Sequence, residues 1–276
     1  MSSPIPTFIL RQGRLPLLVS MPHVGEHIPA ALAARMTPEA RQLADTDWHL
    51  DRLYNFLDAL GVSVLVATHS RYVIDLNRPL DDSNLYPGQD TTGLFPMDTF
   101  KKEPIYLPGQ EPDVAELAKR GDEYWQPYHA ALSTELQRLR SQHGVAMLWE
   151  AHSICSVVPR FFEGTLPDFN LGTAAGASCT PDLAQQLLEV AQSATGYRHA
   201  LNGRFKGGYI TRQYGQPSEH IHAVQLELTQ ATYMDEHYPF HFDETRAQQV
   251  QPTLRRFIDV MLGWAQAHAG SASLVN

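Results

Sequence analysis

The sequence predicts an α/β sandwich: a mixed or mostly parallel sheet covered by helices on both faces. Three observations point there. Apolar runs too short for helices recur along the chain, helical apolar periodicity fills the stretches between them, and polar residues gather where the apolar runs end.

Taken in order, the first apolar run is Leu15 to Ser20, ending at Met21-Pro22-His23. Pro38 to Leu60 then carries apolar residues at Leu43, Leu50, Leu53, Phe56, Leu57 and Leu60 and stops at Gly61, which reads as a helix ending on a glycine cap. Val62 to Thr68 and Tyr72 to Leu76 are rich in β-branched and aromatic residues and read as strand. Asp81 to Gly109 has little periodicity and many Pro, Gly and Asp residues, so it is expected to be a long active-site loop within one domain spanning 1–276. Val114 to Leu139 and Pro181 to Ala194 are helical patterns followed by Gly144 and Gly196. Between them, Val145 to Trp149 is a continuous apolar run leading into Glu150-Ala151-His152. Ala223 to Thr229 is the last predicted strand, and Val250, Leu254, Phe257, Ile258, Met261 and Leu262 share one face of a final helix. Unbroken apolar strands suit a sheet buried on both sides.

Composition excludes several classes. A chain of 276 residues with 43% hydrophobic content can bury a large core. A formal net charge of -9 argues against nucleic acid, which demands clustered cations, and gives no support for a membrane surface. No apolar run nears the roughly 18–20 residues of a membrane span. The start, Met1-Ser2-Ser3-Pro4-Ile5-Pro6-Thr7, lacks the basic and apolar regions of a signal peptide. Cys155 and Cys179 are too few for a disulfide framework, so a reducing cytoplasm is the default location. The count of 13 histidines hints at metal chemistry.

The polar groups at strand ends carry the functional expectation, because open α/β sheets bind ligands outside the carboxyl ends of their strands. His23 and Glu26 lie three residues apart on the turn Pro22-His23-Val24-Gly25-Glu26. Imidazole and carboxylate suit zinc, and a catalytic site uses three protein ligands plus one open position, so His152 is the expected third. Glu227, inside an apolar run, is expensive to bury unless paired or functional: on an edge strand it would sit on a solvated face with Gln225 and Thr229, and on a central strand it is expected to act as general base. Arg78 is expected to stabilise an oxyanion or clamp a carboxylate, with Arg71, Arg204 and Arg212 as further guanidiniums for an acidic substrate. Asp45, Asp47, His49 and Asp51 form a dense polar cluster that reads either as a helix N-terminus or as a source of ligands. No G-x-S-x-G elbow and no Gly-rich phosphate loop is present.

Several motifs together resemble the N-formylglutamate amidohydrolase family: Ser20-Met21-Pro22-His23-Val24-Gly25, Asp45 to Tyr54, Arg71 to Arg78, Trp149 to Ile154, Phe205 to Thr211 and Gln225 to Leu228. The order His23-x-x-Glu26, Asn77-Arg78, His152, Glu227 is also similar to that of zinc carboxypeptidases and of the aspartoacylase and succinylglutamate desuccinylase group. The resemblance implies a three-layer, phosphorylase/hydrolase-like fold and zinc on His23, Glu26 and His152. It implies substrate contacts from Asn77 and Arg78. The implied activity is hydrolysis of N-formyl-L-glutamate to formate and glutamate in histidine degradation. Glu26 stands where a small residue is usual in the family, and Glu150 where Asp is common. The carboxylate ligand is therefore open between Glu26 and the Asp47–His49 segment. Other outcomes are a zinc deacylase for another N-acyl amino acid, a carboxypeptidase, or a protein that binds an acidic metabolite without turnover.

Overall fold

The computed structural model describes residues 5–269; part of the N-terminal segment read above for a signal sequence lies outside the described residues. Seven strands form one sheet: β1 (Phe8–Arg11), β2 (Leu17–Met21), β3 (Ser63–Ala67), β4 (Ala146–Ile154), β5 (Phe169–Gly172), β6 (His199–Leu201) and β7 (Ile221–Thr229). Their order across the sheet is β1-β3-β2-β4-β7-β5-β6. The four central strands are mutually parallel, while β1 and β5 run antiparallel to their inner neighbours. The carboxyl ends of β2, β3, β4 and β7 therefore open on the same edge.

Eight α-helices accompany the sheet among the described residues: α1 (Ala30–Ala33), α2 (Leu50–Leu53), α3 (Leu57–Leu60), α4 (Val114–Arg120), α5 (Gln126–His143), α6 (Pro181–Ser193), α7 (Tyr209–Tyr214) and α8 (Glu244–His268). Strand alternation divides the core in two. Leu17, Val19, Met147, Trp149, Val224 and Leu226 pack with α2, α3, α6 and α8 on one face. Leu18, Leu65, Ala146, Leu148, Ile221 and Ala223 pack with α5 on the other. Both faces are covered, which is why the central strands read as continuous apolar runs. No helix of the described residues is long and apolar enough to cross a membrane.

Two expected elements differ. Pro38 to Leu60 is not one helix but a short 3₁₀ turn at Ala40–Gln42 followed by α2 and α3. Leu43 and His49 take left-handed φ of 54° and 61°, which bends the chain so that the Asp47 amide can bond the His23 carbonyl at 3.0 Å. Tyr72 to Leu76 is not a strand. Its backbone is satisfied by turns and by Leu94, whose carbonyl accepts from the Asp75 amide at 2.7 Å, and its apolar residues belong to the α5-side core. The expected helix from Val114 is α4, a single π-type turn at Gly121–Trp125, then α5, ending at Gly144 with φ of 77°. That turn sets Trp125 beneath the site: its indole N–H donates to the Arg78 carbonyl at 2.9 Å.

Candidate active site

On the α5 side of β4 and β7, apolar residues give way to polar ones toward the carboxyl ends: Leu148, Glu150, His152 and Ala223, Gln225, Glu227. The parallel register sets Glu150 beside Gln225 and His152 beside Glu227. The polar positions seen in sequence thus become one patch at the sheet's open edge.

His23 follows β2, and its Nε2 donates to Asp75 Oδ1 at 2.7 Å. Asp75 Oδ2 accepts from Arg71 Nη2 at 2.6 Å. This pairing leaves His23 Nδ1 as the lone-pair nitrogen, 3.8 Å from Asp47 Oδ2. His152 Nδ1 lies 3.0 Å from the same oxygen, and its Nε2 is 3.2 Å from Glu150 Oε1 and 3.0 Å from Asn77 Nδ2. His23, Asp47 and His152 are all buried, and one donor atom from each lies within 4.8 Å of the others. Tetrahedral zinc places its donors about 3.3–3.5 Å apart. The two separations to Asp47 Oδ2, 3.0 and 3.8 Å, straddle that spacing. Two imidazoles and a carboxylate, with one position free, are a donor set that could hold a divalent metal.

The surrounding charges agree. Burial and the Arg71 charge push His23 down to about 4, keeping it neutral at physiological pH. Asp75 is buried, yet His23, Arg71 and Arg78 hold its carboxyl well below the usual range. Burial opposes a charge on His152, but Asp47 and Glu150 push it up to about 10, so the carboxylates here call for a positive charge. Burial raises Glu227 to about 7, partly offset by His152, Arg71 and Arg78. A carboxyl near 7 is poised to exchange protons at neutral pH.

Glu26 is a correction. It is exposed on the surface, outside the cluster, and the carboxylate that lies between the two imidazoles is that of Asp47. The chain after His23 is drawn along β3, with the His27 amide on the Thr68 carbonyl at 3.0 Å and no room for a side chain at Gly25, whose Cβ would meet the His69 carbonyl at 2.3 Å. His49 is also outside, its Nε2 bonded to the Phe240 carbonyl at 2.8 Å.

The cluster opens into a cleft of about 70 Å³ whose lining includes Arg71, Asn77, Arg78, Arg204, Gln225 and Glu227. Arg71 is buried and occupied by Asp75. Arg78 is braced by the Thr92 carbonyl at 2.8 Å, and Arg204 bonds the Phe161 carbonyl. Among the described residues, neither Arg78 nor Arg204 has a carboxylate partner within 4.0 Å. Arg212 is not in the lining: it bonds the Gly207 carbonyl at 2.8 Å and packs 5.1 Å from the Tyr86 ring. Residues 81–109 contribute Tyr86, Asp90, Thr91, Thr92 and Phe100 to the cleft and contain isolated bridges but no helix or strand. Tyr86, Phe100 and Phe161 were not singled out by sequence; Gln225 was legible as part of the Gln225-to-Leu228 motif, where alternation places it on the Glu227 face.

A mixed α/β sheet with a buried His–Asp–His cluster at its parallel strand ends, facing guanidiniums without carboxylate partners, defines an α/β protein with an enzyme-like cleft. The sequence model of the family described as N-formylglutamate amidohydrolase matches residues 15–234, and the chain belongs to that family. It is 54% identical to an N-formylglutamate deformylase of Pseudomonas putida over 92% of this chain and 94% of that one. It is 52% identical to an N-formylglutamate deformylase of Pseudomonas aeruginosa, over 93% and 96%. The crystal structure of N-formylglutamate amidohydrolase from Ralstonia eutropha JMP134 superposes with a TM-score of 0.80 at 28% identity, over 95% of this chain and 99% of that one. A protein from Agrobacterium tumefaciens, the gene product Atu2144, shares the fold with a TM-score of 0.68 at 16% identity, over 95% of each chain.

Proposed function

We propose that this protein is a zinc-dependent amidohydrolase that converts N-formyl-L-glutamate and water to formate and L-glutamate, a step of histidine degradation in the cytoplasm. The observation that carries the reading is the placement of Glu227 beside His152, in a cleft that also holds two arginines without carboxylate partners. The names of the two Pseudomonas relatives support the substrate.

His23, Asp47 and His152 would hold the metal. When bound, zinc polarises a carbonyl and brings a water's pKa towards about 7. Asp75, braced by Arg71, fixes the tautomer and orientation of His23, while Glu150 and Asn77 flank the far nitrogen of His152. Glu227 takes a proton from the attacking water as its oxygen joins the formyl carbon. When the C–N bond breaks, Glu227 returns that proton to the departing amine. Arg78 and Arg204, which line the cleft without carboxylate partners, bind the two carboxylates of the glutamate portion. Arg71 is assigned a bracing role instead of a substrate contact, and Arg212 supports Tyr86.

The test is formate release from N-formylglutamate by protein stripped of metal and then reloaded. The reading predicts activity that disappears on stripping and returns in proportion to zinc bound. Undiminished turnover by metal-free protein contradicts it.

A further inference from the structure

We propose that Phe100 and Ile154 form the wall that restricts the acyl group to formyl, separating the cleft from a larger, mainly apolar pocket beside it. This rests on the deformylase reading above. Phe100, Ser153 and Ile154 line both the cleft and that second cavity. The cleft holds about 70 Å³ and the adjoining pocket, which opens to solvent beside the exposed Val157 and Tyr238, about 590 Å³, with Val158, Pro159 and Phe240 also in its lining. Space for a longer acyl chain thus exists one side chain away from the cleft.

The wall is held in place. The Phe100 amide donates to Asp45 Oδ2 at 2.8 Å, and its ring meets Phe161 edge-on with centroids 4.9 Å apart. The Arg71 guanidinium lies 4.9 Å from the centre of the same ring. Ile154, at the end of β4, is buried in a small apolar cluster with Val158 and Leu166, against which Phe100 and Phe161 pack.

Charge decides which half of the substrate faces this wall. The arginines beside it are already taken, Arg71 by Asp75 and Arg160 by Asp90 and Asp98, and the exposed Lys101 lines the second pocket but not the cleft. The glutamate carboxylates therefore go to Arg78 and Arg204, leaving the acyl substituent to point at Phe100 and Ile154. A formyl hydrogen fits against a packed wall, whereas a methyl or propyl group must displace it, and overpacking is costly.

The experiment compares kcat/KM for N-formyl-, N-acetyl- and N-butyrylglutamate in the zinc-loaded wild-type protein and in Phe100→Ala, Phe100→Leu and Ile154→Ala. Each reaction adds water across the same C–N bond, yielding a carboxylate and the free amine, so only acyl size varies. Opening the wall should raise the acetyl-to-formyl or butyryl-to-formyl ratio by about tenfold or more, the scale of a methylene-sized discrimination. Phe100→Leu and Ile154→Ala keep the test open should Phe100→Ala not fold. Ratios within about twofold of wild type in every folded variant overturn the wall, since a methylene-sized difference should exceed that. Equal turnover of formyl and acetyl substrates by the wild-type protein does so too. A wild-type protein that releases no formate instead removes the deformylase reading itself, and the wall with it.

Discussion

Asp47 reaches the two imidazoles only because the backbone around it is bent. Leu43 and His49 both take left-handed φ, which costs roughly 1–2 kcal/mol for each non-glycine residue. A fold retains such strain where the surroundings over-determine it, and here the bend delivers a carboxylate to a buried pair of histidines. Asp47→Asn should therefore strip bound zinc from the purified protein. The loss should exceed the about 10–100-fold that removing an outer partner of a ligand typically costs. Glu26→Gln, on the exposed turn, should keep wild-type zinc content and activity. Metal analysis of the two proteins side by side checks this, and the opposite pattern restores Glu26 as the ligand. The carboxylate was ambiguous in sequence because His-x-x-Glu spacing looks like a ligand pair whichever way the turn faces. Its exposure, with the chain drawn away by the pairing of His27 with Thr68, shows that Glu26 is turned outward.

The elements legible in sequence were those with strong periodicity. Both faces of β2, β3, β4 and β7 are buried, so their apolar runs announced them, and α5, α6 and α8 showed clear stripes. β1, β5 and β6 are strands of three or four residues near the sheet's edges, and Phe169–Gly172 includes both Asn170 and Gly172. Such segments carry too little pattern to register. Tyr72 to Leu76 misled for the opposite reason: it is apolar because it packs beneath the site, not because it pairs in the sheet. α7 was also illegible, yet its N-terminal Gly208 has a specific use. The Gly208 amide donates to Gln225 Oε1 at 2.7 Å, and a Cβ there would meet the Asn77 side chain at 2.3 Å. Gly208→Ala should push Asn77 off His152 and lower kcat/KM by about 10²-fold, as expected for a displacement near 1 Å. The helix itself should remain, because φ at Gly208 is -81°. Unchanged kinetics with unchanged circular dichroism would show that Asn77 does not need this contact.

For the molecule as a whole, burial of histidines sets an acid limit. His69, His129 and His222 are each lowered by burial from 6.5 to about 4. Between those values the unfolded chain binds protons that the folded one refuses, so their stabilising contribution is complete above about 6.5 and lost as pH falls towards 4. His129 ties α5 to α7 and to the loop at Leu76: its Nε2 donates to the Leu76 carbonyl and its Nδ1 accepts from Tyr214, each at 2.9 Å. Its share of the acid loss is on the order of 3 kcal/mol. Thermal melts of wild type and His129→Asn from pH 7 to pH 4 should give a shallower pH dependence in the variant. Parallel curves would assign the acid loss to other groups.

The most direct test of the central claim is a paired measurement on Glu227→Gln: zinc content and single-turnover formate release. The substitution keeps the side chain's shape but removes the proton acceptor. The account predicts zinc at the wild-type level, with the rate lowered by about 10²–10⁴-fold. A zinc-loaded Glu227→Gln protein that releases formate at nearly the wild-type rate would contradict it.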